Sequence, residues 1–368
     1  MNVGYSDVNT IRTSRSWIPR VLIIGPGGFK GLKALGFLSP IEDSGLLQNT
    51  DTYCGVSAGA IISLLIVAGY QMREIVGEAS SLNLFKDIDN ITVQSIIDNQ
   101  GLISNEPIRK RLTQLILNKF GTIPTLWSLY MQTGRAYIAV TLNATDEECE
   151  MMGPFTHPNM SCIDVTMFSM NIPFVFYQLI HRGKVYVDGA LGNPYPVDYF
   201  DDGNTDILAI YMKTVHTKAS NLQMQPGVIL QRIDESTNQS LPIGSYLLKI
   251  VHALMDQRRN QIMQQSSSRC RHICLESRNM NLAGYSLTKE DKADMLVEGF
   301  NEGKAFLSQL QNNAFSWTSP KLMYTYPPYY VRGEVSTNHE ESINVLSAMN
   351  SNNTQIGTNS YGESLRLN

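Results

Sequence analysis

The chain has 368 residues, 43% hydrophobic and 17% charged, enough apolar side chains for one large core or two ordinary ones, so it reads as globular. A net charge of −4 and a pI near 5.9 leave no broad basic surface, which gives a nucleic-acid role little electrostatic support and restricts membrane contact to local apolar patches. Five cysteines (Cys54, Cys149, Cys162, Cys270 and Cys274) are an odd number scattered over a long chain, unlike a disulfide scaffold, and fit a reducing compartment.

The first residues carry Arg12, Arg15 and Arg20 and no apolar run of signal-peptide length. The longest apolar stretch, Ala58 to Tyr70, is too short to cross a bilayer. The expectation is a cytoplasmic or membrane-peripheral protein with neither signal peptide nor transmembrane helix. Val21-Leu22-Ile23-Ile24 is a β-branched apolar run ending in Gly25-Pro26-Gly27-Gly28, the pattern of a buried parallel strand entering a tight loop. A helix follows, with Leu32, Leu35 and Gly36 at helical spacing and Gly45 ending it. A second strand is predicted at Thr52 to Cys54, running through Gly55-Val56-Ser57-Ala58-Gly59 into an apolar helix that closes at Gly69. This alternation predicts a mostly parallel sheet with helices on both faces.

Further strands are predicted at Ala136 to Leu142, Asp206 to Tyr211 and Lys184 to Val187. Leu82 to Tyr130 lacks strand alternation and carries Ile108, Leu112, Leu115 and Ile116 at helical spacing, so it reads as a helical insertion that could wall a cleft. Beyond His216, two amphipathic helices are marked by Ile243, Leu247, Ile250, Val251 and Leu254 and by Met295, Phe300, Phe306 and Leu310. Thr288 to Asp291 has the form of a capping box for the second, with Asp in place of Glu. From Gly333 onward polar residues dominate, the composition of a flexible tail. The expected organisation is an α/β domain over 19–216 with its helical insertion at about 82–130, a helical region packing on it over 217–332, and the tail over 333–368.

Three segments could carry chemistry. Gly55-Val56-Ser57-Ala58-Gly59 matches G-x-S-x-G, in which a sharp strand-to-helix turn lifts a serine into the open. Small residues let that turn close, and the following helix start offers amides to a developing oxyanion. Gly27-Gly28-Phe29-Lys30-Gly31 would bring backbone amides close to an anion. A dinucleotide fingerprint from Gly25 fails because position 30 is Lys, and no register fits a phosphate-binding G-x-x-x-x-G-K-[ST]. In Val185-Tyr186-Val187-Asp188-Gly189-Ala190, an acid leaves the end of a short apolar strand into a small-residue turn.

A G-G-x-[KR]-G loop, then G-x-S-x-G, then D-G-[AG] well downstream resembles the patatin-like phospholipases, over roughly Pro19 to His216. The resemblance implies a three-layer α/β/α sandwich and a Ser/Asp dyad that cleaves lipid acyl esters. By motif, Ser57 would be nucleophile, Asp188 base, and the amides of Gly27, Gly28 and Ala58 the oxyanion hole. Lys30, Gly31, Gly55, Gly59, Gly189 and Ala190 would complete the motifs. The family loop often opens with three glycines, and here Pro26, which has no amide hydrogen, takes the first place. Asn171 to Phe176 loosely resembles the family's apolar segment before its aspartate.

The mechanism so implied is two-step acyl transfer on phospholipid or another lipid ester, without metal or cofactor, with transient membrane contact and room for an activating protein partner. The aspartate would draw its basicity from desolvation. Alternatives stay open at this level. A Ser-His-Asp triad could recruit His216 or His252, which follow Asp188 in α/β-hydrolase order. A catalytically silent lipid-binding scaffold could keep the fold, and an acyltransferase would use the same residues. Lys30 could steady its loop or attract lipid phosphate. Cys270 and Cys274 with His272 between them lack the second ligand pair that a zinc site needs.

Overall fold

A computed structural model describes residues 17–81, 100–215, 243–278 and 288–312. In chain order, strand β1 (Val21–Ile24) passes through a short 3₁₀ turn at Gly28–Lys30 into helix α1 (Gly31–Asp43), then β2 (Thr52–Val56), α2 (Ala58–Val67) and α3 (Met72–Ser81). There follow β3 (Gly101–Ile103), α4 (Glu106–Phe120), α5 (Leu126–Thr133), β4 (Ala136–Asn143), β5 (Glu148–Met152) and α6 (Cys162–Ser169). The chain continues through β6 (Phe174–Phe176), β7 (Leu179–His181), β8 (Lys184–Asp188), α7 (Val197–Phe200), β9 (Ile207–Val215), α8 (Ile243–Gln265), β10 (Cys270–Arg278) and α9 (Lys289–Asn312).

The main sheet has eight strands in the order β10-β9-β1-β2-β4-β8-β7, with β5 also pairing β4. Neighbours from β10 to β4 run parallel, whereas β8 and β5 each pair antiparallel with β4 and β7 pairs antiparallel with β8. Helices flank this mostly parallel sheet, in the layered α/β arrangement that the alternation predicts. The strand interiors explain why. Val21 to Ile24 and Ile207 to Ile210 are fully buried, as strands covered on both faces require.

Turn chemistry acts where the sequence places it. Gly45 and Gly69 both have positive φ just past the ends of α1 and α2. At the start of α9, the Thr288 hydroxyl accepts the Asp291 amide (3.0 Å) while the Asp291 carboxylate accepts the Thr288 amide (2.9 Å), a capping box closed by Asp. Ile108, Leu112, Leu115 and Ile116 form the buried face of α4.

Two features differ from the sequence reading. The three-residue β3 lies inside the stretch read as helical and pairs with β6 in a separate small sheet, while 82–99 lie outside the described residues. The C-terminal region is not only helical, because β10 extends the main sheet through nine paired residues along β9. Its polar and apolar residues obscure strand periodicity, and pairing with the apolar β9 overrides that weak local signal. Of the first C-terminal amphipathic helix, the side chains of Ile243 and Leu247, like the whole tail, lie outside the described residues; Ile250 and Leu254 are exposed.

Helix α9 locks onto α1, the helix that follows the glycine loop. A Cβ at Gly36 would meet the Leu296 carbonyl at 2.2 Å and one at Gly299 the Lys33 carbonyl at 2.1 Å, so the two backbones touch. Across this seam Lys33, only 3% exposed, pairs with Glu298 (3.0 Å) and Glu302 (2.8 Å) and donates to the Glu276 carbonyl of β10. Lys33→Met keeps the apolar stem but removes the donor to that carbonyl and leaves the half-exposed carboxylates of Glu298 and Glu302 to water. It should cost about 1–3 kcal/mol in a urea melt, and an unchanged midpoint would show that the seam is held by packing alone.

Candidate active site

Strand β2 leaves the sheet at Val56, and the next residue, Ser57, adopts φ 57° and ψ −125° before α2 begins at Ala58. That left-handed φ costs a non-glycine residue on the order of 1–3 kcal/mol and persists only because the surroundings hold it. The flanking glycines are steric necessities. A Cβ at Gly55 would lie 2.4 Å from the Ala60 nitrogen, and one at Gly59 2.0 Å from the Ile24 carbonyl oxygen at the end of β1. The Ser57 amide donates to the Ser169 hydroxyl at the end of α6 (3.0 Å, buried).

Register brings the aspartate to the serine. Val56 pairs with Val140 of β4, and the next β4 residue, Thr141, pairs along the same edge with Asp188, the last residue of β8, while β5 covers the opposite edge at both positions. Ser57 and Asp188 thus meet where β2 and β8 abut end to end along one edge of β4. The Asp-Gly turn sits hard on β4, since a Cβ at Gly189 would lie 2.0 Å from the Val140 carbonyl oxygen.

The Ser57 hydroxyl hydrogen-bonds the Asp188 carboxylate, which also accepts the Ala190 amide (2.9 Å). Ser57 is 5% and Asp188 4% exposed. Burial pushes the Asp188 carboxyl up to about 7, against the lowering effect of the Ser57 and Ala190 hydrogen bonds. Such a carboxylate is a far better proton acceptor near neutral pH than an ordinary one.

The glycine loop lies alongside. A Cβ at Gly31 would touch Ile62 and Ala58 of α2 at 3.5 and 3.7 Å, so the loop abuts the first turn of the elbow helix. Gly28 has φ +53° with open space beside it, while the Lys30 amide turns back to the Gly27 carbonyl (3.0 Å). Gly27, Gly28 and Ala58 therefore share the carboxyl ends of β1 and β2, where open parallel sheets bind ligands. Burial lowers the Lys30 ammonium, Asp256 of α8 partly restores it, and Arg259 lowers it again.

The family model described as patatin-like phospholipase matches residues 22–201, a span that holds all three motifs. Residues 22–201 belong to the patatin-like phospholipase family. Among relatives, the chain is 27% identical over 182 residues to the probable lipid hydrolase 463L of Invertebrate iridescent virus 6, covering 49% of this chain and 62% of that protein. It is 25% identical over 262 residues to the uncharacterized protein R571 of Acanthamoeba polyphaga mimivirus, covering 70% and 82%. Among solved structures it is similar to VipD from Legionella pneumophila (14% identity, 79% of this chain and 67% of that one, TM-score 0.48). It is also similar to ExoU in complex with SpcU from Pseudomonas aeruginosa (12% identity, 81% and 53%, TM-score 0.43).

His252 lies exposed on α8, and His216 falls outside the described residues. His272, with Cys270 and Cys274, sits on β10, its Nδ1 2.8 Å from the Tyr195 hydroxyl. Among the described residues no group of three His, Cys, Asp or Glu side chains could hold a metal, and no helix is long and apolar enough to cross a membrane. A hollow of about 310 Å³ between β10 and α9 is lined by Cys270, His272, Phe306 and Leu310 and includes neither Ser57 nor Asp188. Sequence reasoning missed Ser169, Asn171 and Asn105. The available signal was two polar residues inside the apolar run Met167-Phe168-Ser169-Met170-Asn171-Ile172.

Proposed function

We propose that this chain is a lipid acyl hydrolase of the phospholipase A type that works through a Ser57/Asp188 dyad and an acyl-enzyme. The observation that carries the reading is the buried hydrogen bond from the Ser57 hydroxyl to a carboxylate made basic by desolvation. Asp188 takes the Ser57 proton as Oγ bonds to the ester carbonyl carbon, and the oxyanion is met by amides of Gly27, Gly28 and Ala58. The C–O bond to the alcohol or lysophospholipid breaks, and Asp188 returns the proton to that leaving oxygen. Water, deprotonated by Asp188, then attacks the acyl-enzyme, the acyl–Oγ bond breaks to free the fatty acid, and Asp188 returns the proton to Ser57 Oγ.

Residues 19–216 form the proposed hydrolase unit, with β10 and α9 from the 217–332 region completing its sheet and flank. Substrate is met at a lipid surface. Leu191, just past Asp188, and Ile250 and Leu254 of α8 are exposed apolar side chains suited to it. The acidic overall charge favours such apolar contact over general attraction to anionic lipid.

Incubation with mixed phospholipid vesicles, with mass spectrometry of fatty acids and lyso products, tests the reaction. Ser57→Ala should lower turnover by about 10³-fold or more and abolish labelling by a fluorophosphonate probe. Full esterase activity in that variant would remove Ser57 from the mechanism, and acyl transfer to an alcohol in place of release would redirect the reading to a transferase.

A further inference from the structure

Two buried hydrogen bonds leave the dyad for one short stretch of chain. The Ser169 hydroxyl accepts the Ser57 amide (3.0 Å), and two residues later the Asn171 carbonyl accepts the Asp188 amide (2.9 Å). The stretch is itself tied down. The Asn171 side-chain amide donates to the Tyr186 carbonyl of β8 (3.1 Å), and its oxygen accepts from the Asn105 amide (3.3 Å), just ahead of α4. Ser169 is fully buried, Asn171 2% and Asn105 6% exposed. Buried polar groups in an apolar layer are costly unless paired, and here the pairs converge on the two backbones that must be held together.

We infer that Ser169–Asn171 is a positioning strut that sets the separation of Ser57 from Asp188, with Ser169 fixing the strained elbow and Asn171, braced by Asn105, fixing the aspartate turn. The inference rests on the dyad reading above. Its physical basis is that β2 and β8 abut along one edge of β4, each paired with it but not with each other, so sheet register sets the level at which the two reacting residues meet but not the reach of one side chain to the other. A span of three residues, bonded at both ends, sets that reach. Losing either end lets the hydroxyl and carboxylate drift, and sub-ångström drift is enough to slow a positioned proton transfer.

The test uses the full chain with Ser169→Ala and Ser169→Cys; the second keeps volume but offers a poor acceptor. Both should lower kcat about 10–100-fold, leave KM within about twofold, and slow fluorophosphonate labelling in proportion. Both should also move the acid limb of the kcat/KM profile to higher pH. The Ser57 hydrogen bond lowers the Asp188 carboxyl, the other influences there being burial and the Ala190 amide, so weakening that bond lets it rise. A purely structural defect would not shift that limb.

Ser63→Ala, which removes another fully buried serine whose hydroxyl has no hydrogen-bond partner in α2, is the control and should behave as wild type. Should Ser169 variants fail to fold, Asn105→Ala tests the other end, with a loss of about 3–10-fold and a limb shift in the same direction. Normal kcat and an unmoved limb in Ser169→Ala, or full activity in Ser169→Cys, would overturn the strut while leaving the dyad standing. A wild-type protein inert to both ester and probe would overturn the dyad and the strut together.

Discussion

Asp188→Asn is expected to abolish ester hydrolysis and, at the same time, to stabilise the protein at pH 8. The loss should be roughly 10²–10⁴-fold in kcat, the range supplied by a positioned general base. The gain follows from the buried carboxyl, raised from 3.8 to about 7 in the folded state. A raised pKa stabilises the fold fully below the unfolded value and loses that contribution as pH climbs through the folded one. In wild type the penalty therefore grows between about pH 4 and pH 7, and about three units correspond to no more than ~4 kcal/mol at pH 8. Asparagine cannot ionise, can still accept the Ala190 amide, and can donate to the Ser57 oxygen. Melts of both proteins from pH 4 to 8 should diverge as pH rises; a constant difference would mean that the carboxyl ionises freely. In wild type the same titration should set an acid limb of kcat/KM near pH 7.

The second large effect separates two kinds of motif glycine. Gly59→Ala drives a methyl to within 2.0 Å of the Ile24 carbonyl oxygen and 2.8 Å of the Gly25 carbonyl oxygen, both rigid backbone at the exit of β1. Relief requires the elbow helix to move off the sheet, so the change should cost roughly 3–5 kcal/mol or prevent folding. Gly28→Ala meets no atom within 4 Å and pays only for its positive φ, on the order of 1 kcal/mol. Urea midpoints decide this. If Gly59→Ala unfolds no earlier than Gly28→Ala, the close approach of α2 to β1 is not a real constraint.

Both glycines are visible in the sequence, yet their different reasons are not. The motif shows that Gly28 and Gly59 flank loops at strand ends; it does not show that one needs conformational freedom and the other needs space. Likewise Asp188-Gly189 reads as a turn whether or not Gly189 lies on the Val140 carbonyl. The strands at β1, β2, β4, β8 and β9 and the capped start of α9 were legible because their signals repeat within a few residues. The strands β3, β6 and β7 were not, since three residues hold no periodicity, nor was β5, whose Glu148-Cys149-Glu150 start lacks an apolar run, and β10 is a strand chiefly because β9 is there to pair with it. Ser169 and Asn171 look like ordinary polar residues until the elbow amide and the aspartate amide arrive beside them.

What the sequence determined by itself was local: strand, glycine loop, strand, serine elbow, and an acid at a small-residue turn, each set by backbone sterics over a few neighbouring positions. Only the tertiary structure decided that Val56 and Thr141 carry Ser57 and Asp188 to one level of the sheet, and that burial there makes the aspartate a base. The reason is physical. Turn preferences act through bonds between adjacent residues, whereas the register rests on pairs 84 and 47 positions apart and the dyad on residues 131 apart, separations that no short window of sequence contains.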